Sequence, residues 1–205
     1  VAIKLLKPEI ASDQRVIKCF RNELKMSRQI THKNVCRIYH LEESEGAHYI
    51  TMEYVQGQDL KSMLKMTKQF SPGTAVSIAE QICEGLAEAH KLGVVHRDLK
   101  PGNIMIDKEG EIRIMDFGLA RSFETEEDTE TGLITGTPEY MSPEQAAGEK
   151  EDDRTDIYSL GIILYEMVNG RVPFSGEPAV NVAMQHKKQK PENPKKANPQ
   201  IPESL

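Results

Sequence analysis

His96-Arg97-Asp98-Leu99-Lys100-Pro101-Gly102-Asn103 sets a carboxylate, an amine two residues on and a carboxamide five residues on, and Asp116-Phe117-Gly118 then adds a second carboxylate. Alone, an aspartate such as Asp98 is more often a turn residue or a helix cap. Together these groups suit the transfer of a phosphoryl group from a magnesium-bound nucleotide to a hydroxyl, a reaction that asks for placed charge more than for covalent help. Asp98 is the candidate base that accepts or orients the hydroxyl proton. Lys100 would balance charge on the group in flight, and Asn103 and Asp116 would offer oxygen to a hard cation.

Several short elements must hold this set in place. Val1–Leu6 reads as a strand, and the apolar spacing of Val16, Ile17, Phe20, Leu24 and Ile30 predicts a helix over residues 12–30. Val35–Leu41 and His48–Tyr54 read as strands around the acidic turn Glu42–Gly46. Gln56–Asp59 is expected to be a polar link at a boundary between two lobes, residues 1–55 and 56–205. Ser71-Pro72 opens a helix as cap and first-turn proline, and Gly93 closes it. Val94-Val95, Ile104–Ile106 and Ile112–Met115 are expected as short apolar strands flanking the two motifs. Ile157–Met167, apolar almost all round, predicts a fully buried helix. Gln185–Pro202, rich in Lys, Pro and Asn, is expected to be a loop.

Composition narrows the class. A net charge of −6 over 205 residues argues against a nucleic-acid-binding domain. No apolar run nears the ~18 residues that span a bilayer, and no signal-peptide pattern opens the chain. Cys19, Cys36 and Cys83 are scattered and odd in number, which points to reduced thiols in a cytosolic setting rather than a disulfide framework or zinc site.

With HRDLKPGN and DFG joined by Val1-Ala2-Ile3-Lys4, Gly136–Glu144 (GTPEYMSPE) and Arg154–Met167 (RTDIYSLGIILYEM), the chain resembles a eukaryotic-type serine/threonine protein kinase, most nearly the bacterial group. The resemblance implies an α+β, two-lobe fold: a partial antiparallel-sheet N-lobe with one helix, and a mostly helical C-lobe. It implies a fragment without the Gly-rich loop and the last helices, from a parent that is cytoplasmic in its kinase part and membrane-anchored through other segments. It also implies ATP and Mg2+ as cofactors, Ser/Thr-bearing proteins as substrates, and self-association for autophosphorylation in trans. Residue by residue, Lys4 would hold the α- and β-phosphates with Glu23 as its ion-pair partner. Ala2 and Met105 would sandwich adenine, Glu53-Tyr54-Val55 would be the hinge, and Met52 the gatekeeper. Thr137 would hydrogen-bond the Asp98–Lys100 stretch, Asp156 would hold the backbone of the catalytic loop, and Glu144 would lack its usual arginine. Ser27 stands where the family often has an apolar residue.

Arg97 beside Asp98 is the pattern of kinases controlled by a phosphorylated loop, with Arg121 as a second donor to phosphate. Thr129 and Thr131 lie at the spacing of bacterial phosphosites, in an acidic stretch, Glu124–Thr131, expected to be mobile. Two other functions compete: a pseudokinase scaffold, against which the complete set of charged residues argues, and a small-molecule phosphotransferase of similar fold, against which the protein-docking segment GTPEYMSPE argues.

Overall fold

The computed structural model describes residues 1–6, 14–117 and 137–203. Strand β1 (Ala2–Leu5) and helix α1 (Gln14–Ser27) precede a hairpin of β2 (Ile38–Ser44) and β3 (Ala47–Met52). The sheet is antiparallel in the order β1-β3-β2, with Ala2 opposite Met52 and Lys4 opposite Ile50. The hairpin is tighter than the acidic run suggests: β2 continues through Ser44, and Glu45 and Gly46 turn the chain with positive φ. Helix α1 lays Ile17, Phe20, Leu24 and Ser27 in one buried stripe. Its three apolar members form a core with Leu6, Cys36, Ile38, Ile50 and Met52.

A second sheet, β4 (Gly57–Asp59), β5 (Ile104–Asp107) and β6 (Ile112–Ile114), is also antiparallel in that order. The expected polar link at residues 56–59 is therefore partly a strand. Glycine makes this pairing possible: a Cβ on Gly57 would lie 2.0 Å from the Ile106 carbonyl oxygen. Asp59 then caps α2 (Leu60–Thr67), accepting from Ser62 N at 2.8 Å. Helix α3 (Pro72–Lys91) starts on the Ser71 cap, which accepts from Thr74 N at 3.1 Å. Val94-Val95 is not a strand; Val94 N instead donates to Ala89 O at 3.0 Å, finishing the helix end.

The remaining helices are α4 (Pro143–Ala147), α5 (Asp153–Asn169), α6 (Ala179–Lys188) and α7 (Pro194–Ala197). Helix α5 packs on α3 around Leu160, Ile163 and Met167, yet Ile157 is 53% exposed, so the helix is not buried all round. Nor is Gln185–Pro202 a loop throughout: α6 and α7 occupy part of it, and Asn198 Nδ2 anchors it by donating to Val168 O at 2.8 Å. Among the described residues, no helix is long and apolar enough to cross a membrane.

A polar seam joins the two sheets. Buried Asn34 donates through Nδ2 to Gln81 Oε1 and Ile112 O, both at 3.1 Å. Its carbonyl accepts from Ile114 N at 2.8 Å, and Cys36 N donates to Ile114 O at 2.9 Å. These bonds use the Asn34 amide nitrogen and backbone carbonyl, while its buried Oδ1 has no hydrogen-bond partner among the described residues.

Candidate active site

The loop between α3 and β5 has no regular structure of its own until the 3-10 turn Pro101–Asn103, so its shape must come from partners. Fully buried Asp156, in the first turn of α5, supplies them. Its Oδ2 accepts from His96 N at 2.8 Å and from His90 Nε2 at 2.8 Å, and its Oδ1 accepts from Arg97 N at 2.9 Å. A carboxylate can only accept, so His90 Nε2 carries the proton here. Arg97 has φ +67, a left-handed conformation that costs a non-glycine residue about 1–3 kcal/mol and persists only where its neighbours enforce it. Both of its backbone polar groups are held, the N–H by Asp156 and the carbonyl by Gln145 Nε2 at 2.7 Å. His96, also fully buried, donates from Nε2 to Met115 O at 2.8 Å and meets the edge of the Phe117 ring at 4.8 Å between centroids.

On this scaffold Asp98, Lys100 and Asn103 come together. Lys100 Nζ lies 2.6 Å from Asp98 Oδ2, and Asn103 Nδ2 donates to Asp98 O at 2.8 Å and to Asp98 Oδ2 at 3.2 Å. Asn103 N donates to Lys100 O at 2.9 Å and Asn103 O accepts from Met115 N at 2.8 Å, tying the loop to the end of β6. Asp116, with φ +60, follows directly.

Lys4 reaches Asp116 rather than the expected Glu23: Nζ lies 2.6 Å from Asp116 Oδ2. Positive φ at Asp116 turns the chain after β6, and the carboxylate meets β1 there. Glu23 is half-buried and lines a cavity of about 120 Å3 with Met26, Ser27, Gly93, Val94, Val95 and Arg97. Ser27 is buried, and its Oγ donates 2.9 Å to the Phe117 carbonyl. Among the described residues the hydrogen bond expected from Thr137 to the Asp98–Lys100 stretch is absent. Thr137 leads instead into the 3-10 turn Pro138–Tyr140.

Ala2, Val55 and Met105 are half-buried, and the first two pack on the core of the first sheet. The Glu53 carboxylate is used locally, accepting from Arg37 N at 3.2 Å and pairing with Arg113 Nε at 3.5 Å. Burial, with Glu53 and Asp116 adding to it, pushes the Cys36 thiol up to about 12, which leaves it inert as a nucleophile. Glu144 gives its carboxylate to the Thr155 hydroxyl at 2.6 Å. Burial pushes Glu144 up, but the Thr155 bond and backbone donors outweigh it and hold the carboxyl below the usual range. Arg121, Thr129 and Thr131 lie outside the described residues. Sequence reasoning missed Glu151, whose Oε2 lies 3.0 Å from Arg97 Nε, and it missed Gln145. The Gln145 signal was present: Ser142 and Gln145 form a reciprocal capping box, and that spacing is readable.

Asn103 spends its amide nitrogen on Asp98, which leaves its oxygen for a cation, and Asp116 offers a carboxylate oxygen. Among the described residues no three His, Cys, Asp or Glu side chains gather into a metal cage. Two hard oxygen donors fit an ion such as Mg2+, which keeps water and phosphate ligands.

Residues 1–204 match the protein kinase domain family. The chain is 41% identical over 205 residues to the serine/threonine-protein kinase PrkC of Bacillus subtilis (strain 168), covering all of this chain and 32% of that protein. It is 41% identical over 196 residues to the serine/threonine-protein kinase PknA of Mycobacterium tuberculosis (strain ATCC 25618 / H37Rv), covering 93% of this chain and 46% of that protein. The chain thus spans less than half the length of these relatives. The crystal structure of a point mutant of the Mycobacterium tuberculosis PknI kinase domain superposes with a TM-score of 0.74 at 23% identity, over 96% of this chain and 70% of that one, and shares the fold.

Proposed function

This chain belongs to the protein kinase family, and on that footing we propose that it moves the γ-phosphoryl group of ATP to serine and threonine hydroxyls of proteins. The observation that carries the reading is the Asp98 carboxylate, held between Lys100 Nζ and Asn103 Nδ2 on a loop whose backbone is pinned by a buried aspartate. Asp98 orients the incoming hydroxyl and takes its proton as the oxygen bonds to phosphorus and the bond to the leaving diphosphate breaks. Lys100 balances charge on the transferring group, and Lys4 holds the α- and β-phosphates. Asn103 and Asp116 would hold Mg2+, which would supply neutralisation of charge on the phosphate oxygens. Lys4 and Asp116, which pair with each other here, would take phosphate and cation as partners instead, and Glu23 would then be the ion-pair partner of Lys4. Val55 N has no protein acceptor among the described residues and suits an adenine edge; Glu53 supplies backbone, and Ala2 and Met105 supply apolar faces.

Lobes of residues 1–55 and 56–205 would then meet around the nucleotide. Regulation by phosphate on Thr129 or Thr131 would draw Arg97 away from Glu151, with Arg121 as a second donor. The test is autophosphorylation with radiolabelled Mg-ATP by the protein that carries this chain, beside Asp98→Asn. Losing general-base assistance lowers the rate about 10²–10⁴-fold. Label of equal strength on both proteins would defeat the assignment of Asp98, and no label on either would favour the scaffold.

A further inference from the structure

We propose that Ser27 is a positioning residue that couples the helix bearing Glu23 to the strand end bearing Asp116, through its hydroxyl's hydrogen bond to the Phe117 carbonyl; its kinetic test rests on the kinase reading. Ser27 is 4% exposed on the stripe that α1 buries with Ile17, Phe20 and Leu24, where an apolar side chain is the default. Its Oγ lies 3.0 Å from Glu23 O and 2.9 Å from Phe117 O. A hydroxyl has one proton, and the bond to Glu23 O within the helix would satisfy it without help from elsewhere.

The second acceptor makes the difference. The contact to Phe117 is buried and spans 90 residues of sequence. No other donor among the described residues reaches the Phe117 carbonyl, so removing the hydroxyl takes away the one bond that those residues supply to a buried acceptor. That carbonyl directly follows Asp116, whose φ of +60 needs support, while the Phe117 ring is braced against His96. On the helix side, Glu23 sits one turn before Ser27 on the same face. One shared proton therefore sets the spacing between the helix that carries Glu23 and the segment that carries Asp116.

The experiment compares Ser27→Ala and Ser27→Thr in the protein that carries this chain, by steady-state phosphorylation of a generic basic protein substrate and by amide hydrogen exchange. Loss of one such bond predicts that Ser27→Ala lowers kcat about 5- to 10-fold with little change in KM for ATP, and that Ser27→Thr, which keeps a hydroxyl, restores it. Amides of residues 14–27 and 112–117 should exchange faster together in Ser27→Ala and return in Ser27→Thr. A Ser27→Ala protein with unchanged kcat and unchanged exchange overturns the proposal. So does a lowered melting temperature with undiminished kcat, since that is the mark of a merely structural serine. Concerted exchange changes in a protein that transfers no phosphate would support the coupling and refute the kinase reading instead.

Discussion

Replacing Asp156 with asparagine changes almost no volume but removes one acceptor from a buried site that uses three bonds. The best placement of the amide keeps its oxygen where Oδ2 stands, facing His96 N–H and the His90 ring. Its NH2 group then faces the Arg97 N–H, donor against donor. One bond to a charged acceptor is lost, and a buried backbone donor is left unpaired beside a residue at φ +67. Together these cost about 2–4 kcal/mol. For a chain of this size each kcal/mol moves the melting temperature about 2–4 °C, so Asp156→Asn should melt roughly 4–16 °C lower in a scanning calorimeter. The damage falls on the backbone that presents Asp98, so kcat should drop while nucleotide affinity holds. A melting temperature within about 1 °C of the parent, with kcat unchanged, would refute this account of the loop.

Two further outcomes follow from local geometry. Gly57→Ala places a methyl 2.0 Å from Ile106 O and 2.9 Å from Asp107 Cα, both backbone atoms that cannot swing aside, so β4 must part from β5. The urea midpoint should fall by the equivalent of about 3 kcal/mol or more, and an unshifted midpoint would contradict the pairing. His186 is buried between the Tyr158 and Phe174 rings, and Tyr158 OH lies 2.8 Å from its Nδ1. Burial lowers its pKa, and the Glu139 and Pro138 backbones oppose this, although neither closes a well-formed bond to the buried Nε2. The folded state thus binds the proton less readily than the unfolded chain. Stability is therefore full above the usual histidine range near 6.5 and falls as the pH drops through it toward the folded pKa. Thermal melts from pH 7.5 to 5 should show this slope in the parent and a shallower one in His186→Gln.

The catalytic loop was readable because its chemistry is local: Asp98, Lys100 and Asn103 sit within six residues, and short spacing fixes their proximity. The cap at Ser71 was likewise visible in residue type, whereas Asp59 was read only as part of a polar link. What escaped were pairings set by backbone approach or by competition between distant charges. Gly57 looked like a linker residue, because nothing in Gln-Gly-Gln-Asp announces an Ile106 carbonyl alongside. Lys4 has two carboxylates to choose from, and sequence cannot weigh Glu23 against Asp116. The Gln185–Pro202 stretch misled through composition: Lys187, Lys188 and Lys196 face water, while His186, Asn198 and Ile201 are buried.

The Asn34–Gln81–Ile114 seam has a mechanical consequence. The chain crosses between the two sheets at residues 53–57, and the seam ties them again at residues 34–36. The Lys4–Asp116 ion pair and the Ser27–Phe117 hydrogen bond add two further ties between the same parts. A swing of one sheet about the crossing and the seam therefore requires those two contacts to open first, and while all four hold, the sheets keep one relative placement.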